Sequence, residues 1–209
     1  MKNLKNRKAI FWDFDGVIID SMPIRERGFR EVLSSYPKAE VDKLIDFHTK
    51  NAGLSRYVKF EYFFKNIRSE SNTEIKQAEF AKQFSDIMKE LLVNEDLLII
   101  EVMNFIKNNP QIKMHIVSGS DEVELNYLCE KLDIQNLFKS IEGSPTPKVD
   151  LVKSLMNNFD YNNNDVCLIG DSINDYEAAF ESDIDFIGYN NKELRMLNEN
   201  YIVSFNEID

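Results

Sequence analysis

IFWDFDGVIIDS, residues 10–21, decides how the rest of the chain is read. An apolar run ends in two aspartates two positions apart, Asp13 and Asp15, and Gly16 follows at once. The bulky apolar residues of KAIFWDF, 8–14, predict a buried strand. Like charges crowded at the end of such a strand are unfavourable unless an opposite charge meets them. That charge has to come from elsewhere in the chain.

Outward from this strand the pattern changes. From about 22 to 92 apolar residues recur at three and four in FREVLSSY, VDKLIDFH, YVKFEYFF and FAKQFSDIMKELL, which predicts helices. Pro37 and Gly53 punctuate them, and SESNTE at 69–74 reads as a helix start with its N-cap at Asn72 or Thr73. After residue 93 helix and strand alternate. Helices are expected at about 96–108, 121–132, 148–158, 174–182 and 192–198. Strands are expected at 113–118, near 140–142, at 166–170, at 185–189 and at 201–204. Such alternation implies βαβ units and an α/β fold with a parallel sheet covered on both faces. The helical block 22–92 reads as an inserted cap domain, and 1–21 with 93–209 as a Rossmann-like core.

Ligands of an open parallel sheet bind beyond the carboxyl ends of its strands. Asp13, Asp15 and Gly16 follow the first strand, and Ser118, Gly119 and Ser120 the second. Asp171, Ser172 and Asp175 follow VCLIG, and Lys148 opens the helix after GSPTPK. The topology brings these distant segments to one rim. Four carboxylates converging with one lysine and one serine call for a divalent cation with oxygen ligands. Mg2+ fits best, because it takes one or two carboxylates plus waters and phosphate oxygens. A hard cation, a lysine and a hydroxyl suit phosphoryl transfer, where the work is positioning and charge neutralisation. One aspartate attacks phosphorus and the other serves as acid and base. Gly16 eases the sharp departure from the strand.

Composition is consistent with this. The 209 residues allow one domain with an insertion, and 43% apolar content excludes a disordered chain. The longest clean apolar stretch, LLII at 97–100, is too short for a bilayer, and the basic N-terminus lacks a signal-peptide core. The net charge of −11 works against nucleic acid or an anionic membrane as partner. Cys129 and Cys167 have no metal or disulfide spacing and read as core residues of a cytoplasmic protein. No repeat is present, and YNNNDV at 161–166 is a polar turn.

DFDGVIIDS, HIVSGS, GSPTPK and GDSINDYEAA, in that order, resemble the four motifs of the haloacid dehalogenase superfamily, over essentially the whole chain. The resemblance points to the phosphoglycolate phosphatase and β-phosphoglucomutase-like subgroup with a helical cap. It implies an Mg2+-dependent phosphatase acting through an aspartyl-phosphate. Asp13 would be the nucleophile and a metal ligand, and Asp15 the general acid/base with its backbone carbonyl on the metal. Ser118 and the Gly119 amide would bind the phosphoryl group, and Lys148 would neutralise it. Asp171 would bind the metal, and Asp175 would support that shell by hydrogen bonding.

In the cap, GLSR at 53–56 is similar to a loop of the sugar-phosphate enzymes, which makes Arg56 a substrate-binding candidate with Lys59 one turn away. Arg25 and Arg27 follow the first motif and are read as facing the cleft. Arg25 stands where the mutases carry histidine, which weakens a mutase assignment and points to an anionic substrate. His48, His115 and the FEYFF cluster at 60–64 read as packing residues. The expected function is hydrolysis of a small phosphate monoester, a sugar phosphate or phosphoglycolate-like. Phosphomutase chemistry and a non-catalytic ligand-binding module are the alternatives. A monomer is the default, a dimer the alternative.

Overall fold

The computed structural model describes residues 4–197 and 200–208. These form a six-stranded parallel sheet in the order β3-β2-β1-β4-β5-β6. The strands are β1 (Ala9–Trp12), β2 (Lys113–Asp121), β3 (Ser140–Ser144), β4 (Val166–Gly170), β5 (Asp185–Tyr189) and β6 (Tyr201–Ile202). β1 lies between β2 and β4, with Ile10 in register with Met114 and Cys167. Every residue of β1 is buried, because helices cover both faces. On one face Ile10, Trp12, Met114 and Ile116 pack with Phe105, Leu125 and Leu128 from α5 (Ile100–Asn108) and α6 (Glu122–Lys131). On the other, Phe11, Val117 and Leu168 pack with Leu151, Leu155 and Ala178 from α7 (Lys148–Asn158) and α8 (Ile173–Glu181). Trp12, the sole tryptophan of the chain, is wholly buried and donates from Nε1 to Met114 Sδ at 3.2 Å.

Residues 22–92 are helical, as expected: α1 (Met22–Val32), α2 (Lys38–Lys50), α3 (Arg56–Tyr62) and α4 (Glu74–Leu91), with a π-turn at Phe63–Ile67. Phe29, Phe60 and Phe84 form the aromatic centre of this block, with ring centroids 4.3–6.2 Å apart. FEYFF therefore supplies packing, through Phe60, Phe63 and Phe64. Thr73 takes the N-cap position of α4 but makes no side-chain cap bond. The cysteines are buried and free, and burial pushes each thiol up to about 12.

Three boundaries differ from expectation for identifiable reasons. The helix expected from 96 breaks into a short turn, Glu95–Leu97, before α5. There the returning chain pairs with the outgoing one: Asp20 donates to the Leu97 carbonyl, Ile99 donates to that of Ile18, and Ile19 bridges Leu98. β2 runs on to Asp121, so Ser118 lies inside the strand, and Asp121 instead caps α6 by accepting from Glu124 N at 3.0 Å. The C-terminal helix is a 3-10 turn, Lys192–Met196, with the expected end at 198 outside the described residues.

Candidate active site

The carboxyl ends of β1, β2 and β4, with the start of α7, converge on one rim. Asp13 continues β1 and donates its amide to the Ile169 carbonyl at 2.9 Å, which fixes its position beside β4. Gly16 adopts φ +77°, and a Cβ there would fall inside the Asp171 carboxylate. The loop after β1 can turn back over Asp171 only with glycine at that point.

Lys148, at the first position of α7, is buried and reaches Asp13 Oδ1 at 2.8 Å while also donating to Asp175 Oδ1. Asp175 is wholly buried. Its second oxygen accepts from Ser172 N at 3.0 Å and from Ser172 Oγ at 2.7 Å, in a capping box that opens α8. One oxygen of each of Asp13, Asp171 and Asp175 lies within 4.8 Å of the others. One lysine does not balance three carboxylates. Burial, and then the neighbouring Asp175 charge, pushes the Asp13 carboxyl up to about 7 despite Lys148. Burial and the charge of Asp13 also push Asp171 well above the usual carboxylate range. Both shifts show a cluster short of positive charge, and all the donors are carboxylate oxygens. The residues therefore fit a hard divalent cation held by Asp13 and Asp171. Asp175, whose two oxygens are already engaged, holds Lys148 and the start of α8 in place.

Asp15 lies in a different environment. Its Oδ1 accepts from Ser21 Oγ and from Arg25 Nε at 2.8 Å, and its Oδ2 from Ser120 Oγ at 2.6 Å. Burial acts to raise its pKa, but the charge and hydrogen bond of Arg25, with the two hydroxyls, outweigh it and hold the carboxyl below its ordinary value. Arg25 also donates to Glu124 Oε1 at 2.6 Å, and Arg56 donates to Glu124 Oε2. Arg56 further pairs with Asp121 at 3.2 Å. Glu124 is thus completely buried between two arginines of the helical block.

A cavity between the block and the sheet collects these groups. Asp13, Asp15, Asp171, Ser118 and Gly119 line it from the sheet, and Arg25, Arg56, Lys59, His48 and Phe84 from the block. Gly119 meets the carbonyl of Gly53 so closely that no Cβ fits. Of the expected site residues, Asp13, Asp15, Ser118, Gly119, Asp171, Arg25 and Arg56 line this cavity, while Lys148 and Asp175 stand behind Asp13 and are bonded as described. Arg27 does not: it is 67% exposed and pairs with Glu31 one turn along α1. Of the histidines, His115 is structural, with Ser140 Oγ and Tyr161 Oη each 2.9 Å from a ring nitrogen. His48 packs on Phe29, with ring centroids 5.0 Å apart, and lines the cavity with neither ring nitrogen partnered. The hydrogen-bonding roles of Ser21, Ser120 and Glu124 were not anticipated. For the serines, adjacency to motif residues was the available signal. Glu124 offered none, since it reads as an ordinary first-turn acid of a helix.

Comparison with known proteins agrees with this geometry. The profile of haloacid dehalogenase-like hydrolases matches residues 10–189. A phosphorylated carbohydrates phosphatase of Thermotoga maritima is 22% identical over 152 residues, covering 69% of this chain and 68% of that protein. A solved structure described as a predicted phosphoglycolate phosphatase from Haemophilus somnus superposes with a TM-score of 0.78 at 18% identity, over 99% of this chain and 98% of its own. The β-phosphoglucomutase of Clostridium difficile gives 0.76 at 16% identity, over 97% and 93%. With the profile spanning most of its length, the chain belongs to the haloacid dehalogenase-like hydrolases and is a hydrolase of that family.

Proposed function

We propose that the protein is an Mg2+-dependent phosphatase that hydrolyses a small phosphate monoester through an aspartyl-phosphate on Asp13. The observation that carries this reading is the Asp13–Lys148–Asp175 arrangement beside Asp171, a carboxylate cluster with one lysine at strand ends. Mg2+ on Asp13, Asp171 and the Asp15 carbonyl would keep Asp13 ionised and offset charge on the phosphoryl oxygens. Lys148 orients the Asp13 carboxylate for attack on phosphorus. Ser118 Oγ and the Gly119 amide bind the phosphoryl oxygens. Asp15, held ionised by Arg25, Ser21 and Ser120, would take up a proton on substrate binding, give it to the departing alcohol and then take one from the water that cleaves the acyl phosphate. Block 22–92 acts as the cap that excludes water, with Arg25 and Arg56 on the leaving-group side. The curated phosphatase of phosphorylated carbohydrates supports a sugar phosphate or similarly small metabolite as substrate. Among the described residues no helix is long and apolar enough to cross a membrane, and the reading is of a cytoplasmic monomer with no nucleic-acid or membrane partner.

The test is phosphate release from a panel of phosphoglycolate, hexose phosphates, nucleotides and an aryl phosphate, with Mg2+ and with EDTA. Metal-dependent release is expected. No release from any ester by folded, Mg2+-supplied protein would overturn the reading.

A further inference from the structure

The three cations of the cavity differ in what already neutralises them. Arg25 faces Asp15 and Glu124, and Arg56 faces Glu124 and Asp121. Drawing either arginine onto a ligand would strand Glu124, which is completely buried. Lys59 is 3% exposed and its Nζ donates only to the Ala52 carbonyl, at 2.9 Å. Among the described residues it forms no ion pair. The Phe29 ring centroid is 6.0 Å away, and Lys59 faces the cavity that Arg25, Asp13, Asp15 and Asp171 also line. His48 is 2% exposed, with both ring nitrogens unpartnered in the same cavity. Arg25 Nη2 and Arg56 Nε are buried without hydrogen-bond acceptors. Burial shifts Lys59 down to about 7, outweighing the more distant charges of Asp15, Asp13 and Asp171. These buried donors on the block side of the cavity have no acceptor within reach, which indicates a ligand that brings one.

We propose that Lys59 is a specificity-determining residue that binds a carboxylate on the leaving-group portion of the substrate, so that the preferred substrates are phosphate esters of hydroxy acids. The inference rests on the phosphatase reading above. One ammonium without an ion pair of its own matches the single charge of a carboxylate. The free edges of Arg25 and Arg56 and the His48 ring supply further hydrogen bonds to carboxylate or hydroxyl oxygens.

The test uses two matched pairs in which a carboxylate replaces a hydroxymethyl group: 3-phosphoglycerate against glycerol 3-phosphate, and 6-phosphogluconate against sorbitol 6-phosphate. Each ester is scored by turnover and by the KI with which it competes against an aryl phosphate, so a slow substrate still gives a value. The wild-type protein is expected to favour the acid at least tenfold in one pair. Lys59→Met should cut that ratio tenfold or more, through KM or KI rather than kcat, and Lys59→Arg should preserve it. Equal values in both pairs, no competition by either acid, or a ratio that survives Lys59→Met would overturn the inference. If Lys59→Met does not fold, the wild-type ratio and Lys59→Arg decide. The aryl phosphate separates the two failures. If it is not hydrolysed, the phosphatase reading falls; if it is hydrolysed while the ratios stay flat, only the role of Lys59 falls.

Discussion

Two buried charge clusters lie side by side in this molecule, made of the same kinds of group and opposite in balance. At the strand ends, Asp13, Asp171 and Asp175 share Lys148, and the excess of negative charge pushes Asp13 and Asp171 up. Between sheet and helical block, Asp15, Glu124 and Asp121 meet Arg25 and Arg56, and Asp15 is held below its ordinary value. The first cluster is short of positive charge. The second is closed by cations of the block and ties the block to the sheet. A buried ion pair is weak evidence for stability in itself, but removing one partner leaves a charge with no solvent to receive it.

Substitutions can break this contrast, and the largest effect belongs to the first cluster. Asp13→Asn should lower turnover by at least about 10⁴-fold, while thermal unfolding in EDTA shifts up or stays put because a repelled carboxylate is gone. Residual activity within tenfold of wild type would rule out Asp13 as nucleophile. Lys148→Met should cost about 10²–10³-fold in turnover, read with saturating Mg2+. In the second cluster the readout is stability. Glu124→Ala should destabilise by about 3–5 kcal/mol in denaturant titrations, and a loss under 1 kcal/mol would mean that the arginines find other partners.

The pH dependence separates the clusters more finely. The folded-state value of Asp13, about 7, lies above its ordinary 3.8. Between the two, the unfolded chain has released a proton that the folded chain keeps. The metal-free protein should therefore lose stability as pH rises from about 4 to 7 and level off above. Mg2+ favours the ionised form and should raise Tm more at pH 7.5 than at pH 5. An equal rise at both would show that the cation binds elsewhere. Arg27→Ala, at an exposed pair, should change stability by no more than ~0.5 kcal/mol.

The legibility of the two clusters differs in the same way. Asp13, Lys148, Asp171 and Asp175 stand at strand ends or helix starts, where period and punctuation in the sequence locate them. The strands at 166–170 and 185–189 and the helix at 148–158 were likewise readable to the residue. The second cluster depends on contacts across the block–sheet boundary between residues far apart in sequence, 68 positions for Arg56 and Glu124 and 99 for Arg25 and Glu124. No local pattern encodes which face of α6 the block covers, so Glu124 looks solvated until the tertiary structure places it. Arg27 fails for the complementary reason. One helical turn is 3.6 residues, so two positions beyond Arg25 the side chain points the other way.

The tryptophan of β1 has a spectroscopic consequence. Trp12 is the only one in the chain, has no solvent contact, and is bonded to the residue that begins the first motif. Its emission is expected to be blue-shifted and to come from one environment, with Met114 sulfur and the rings of Phe105 and Phe205 as nearest neighbours. A change in intensity on titrating a cation or a phosphate analogue would therefore originate next to the proposed nucleophile, and an equilibrium binding curve can be recorded without a label.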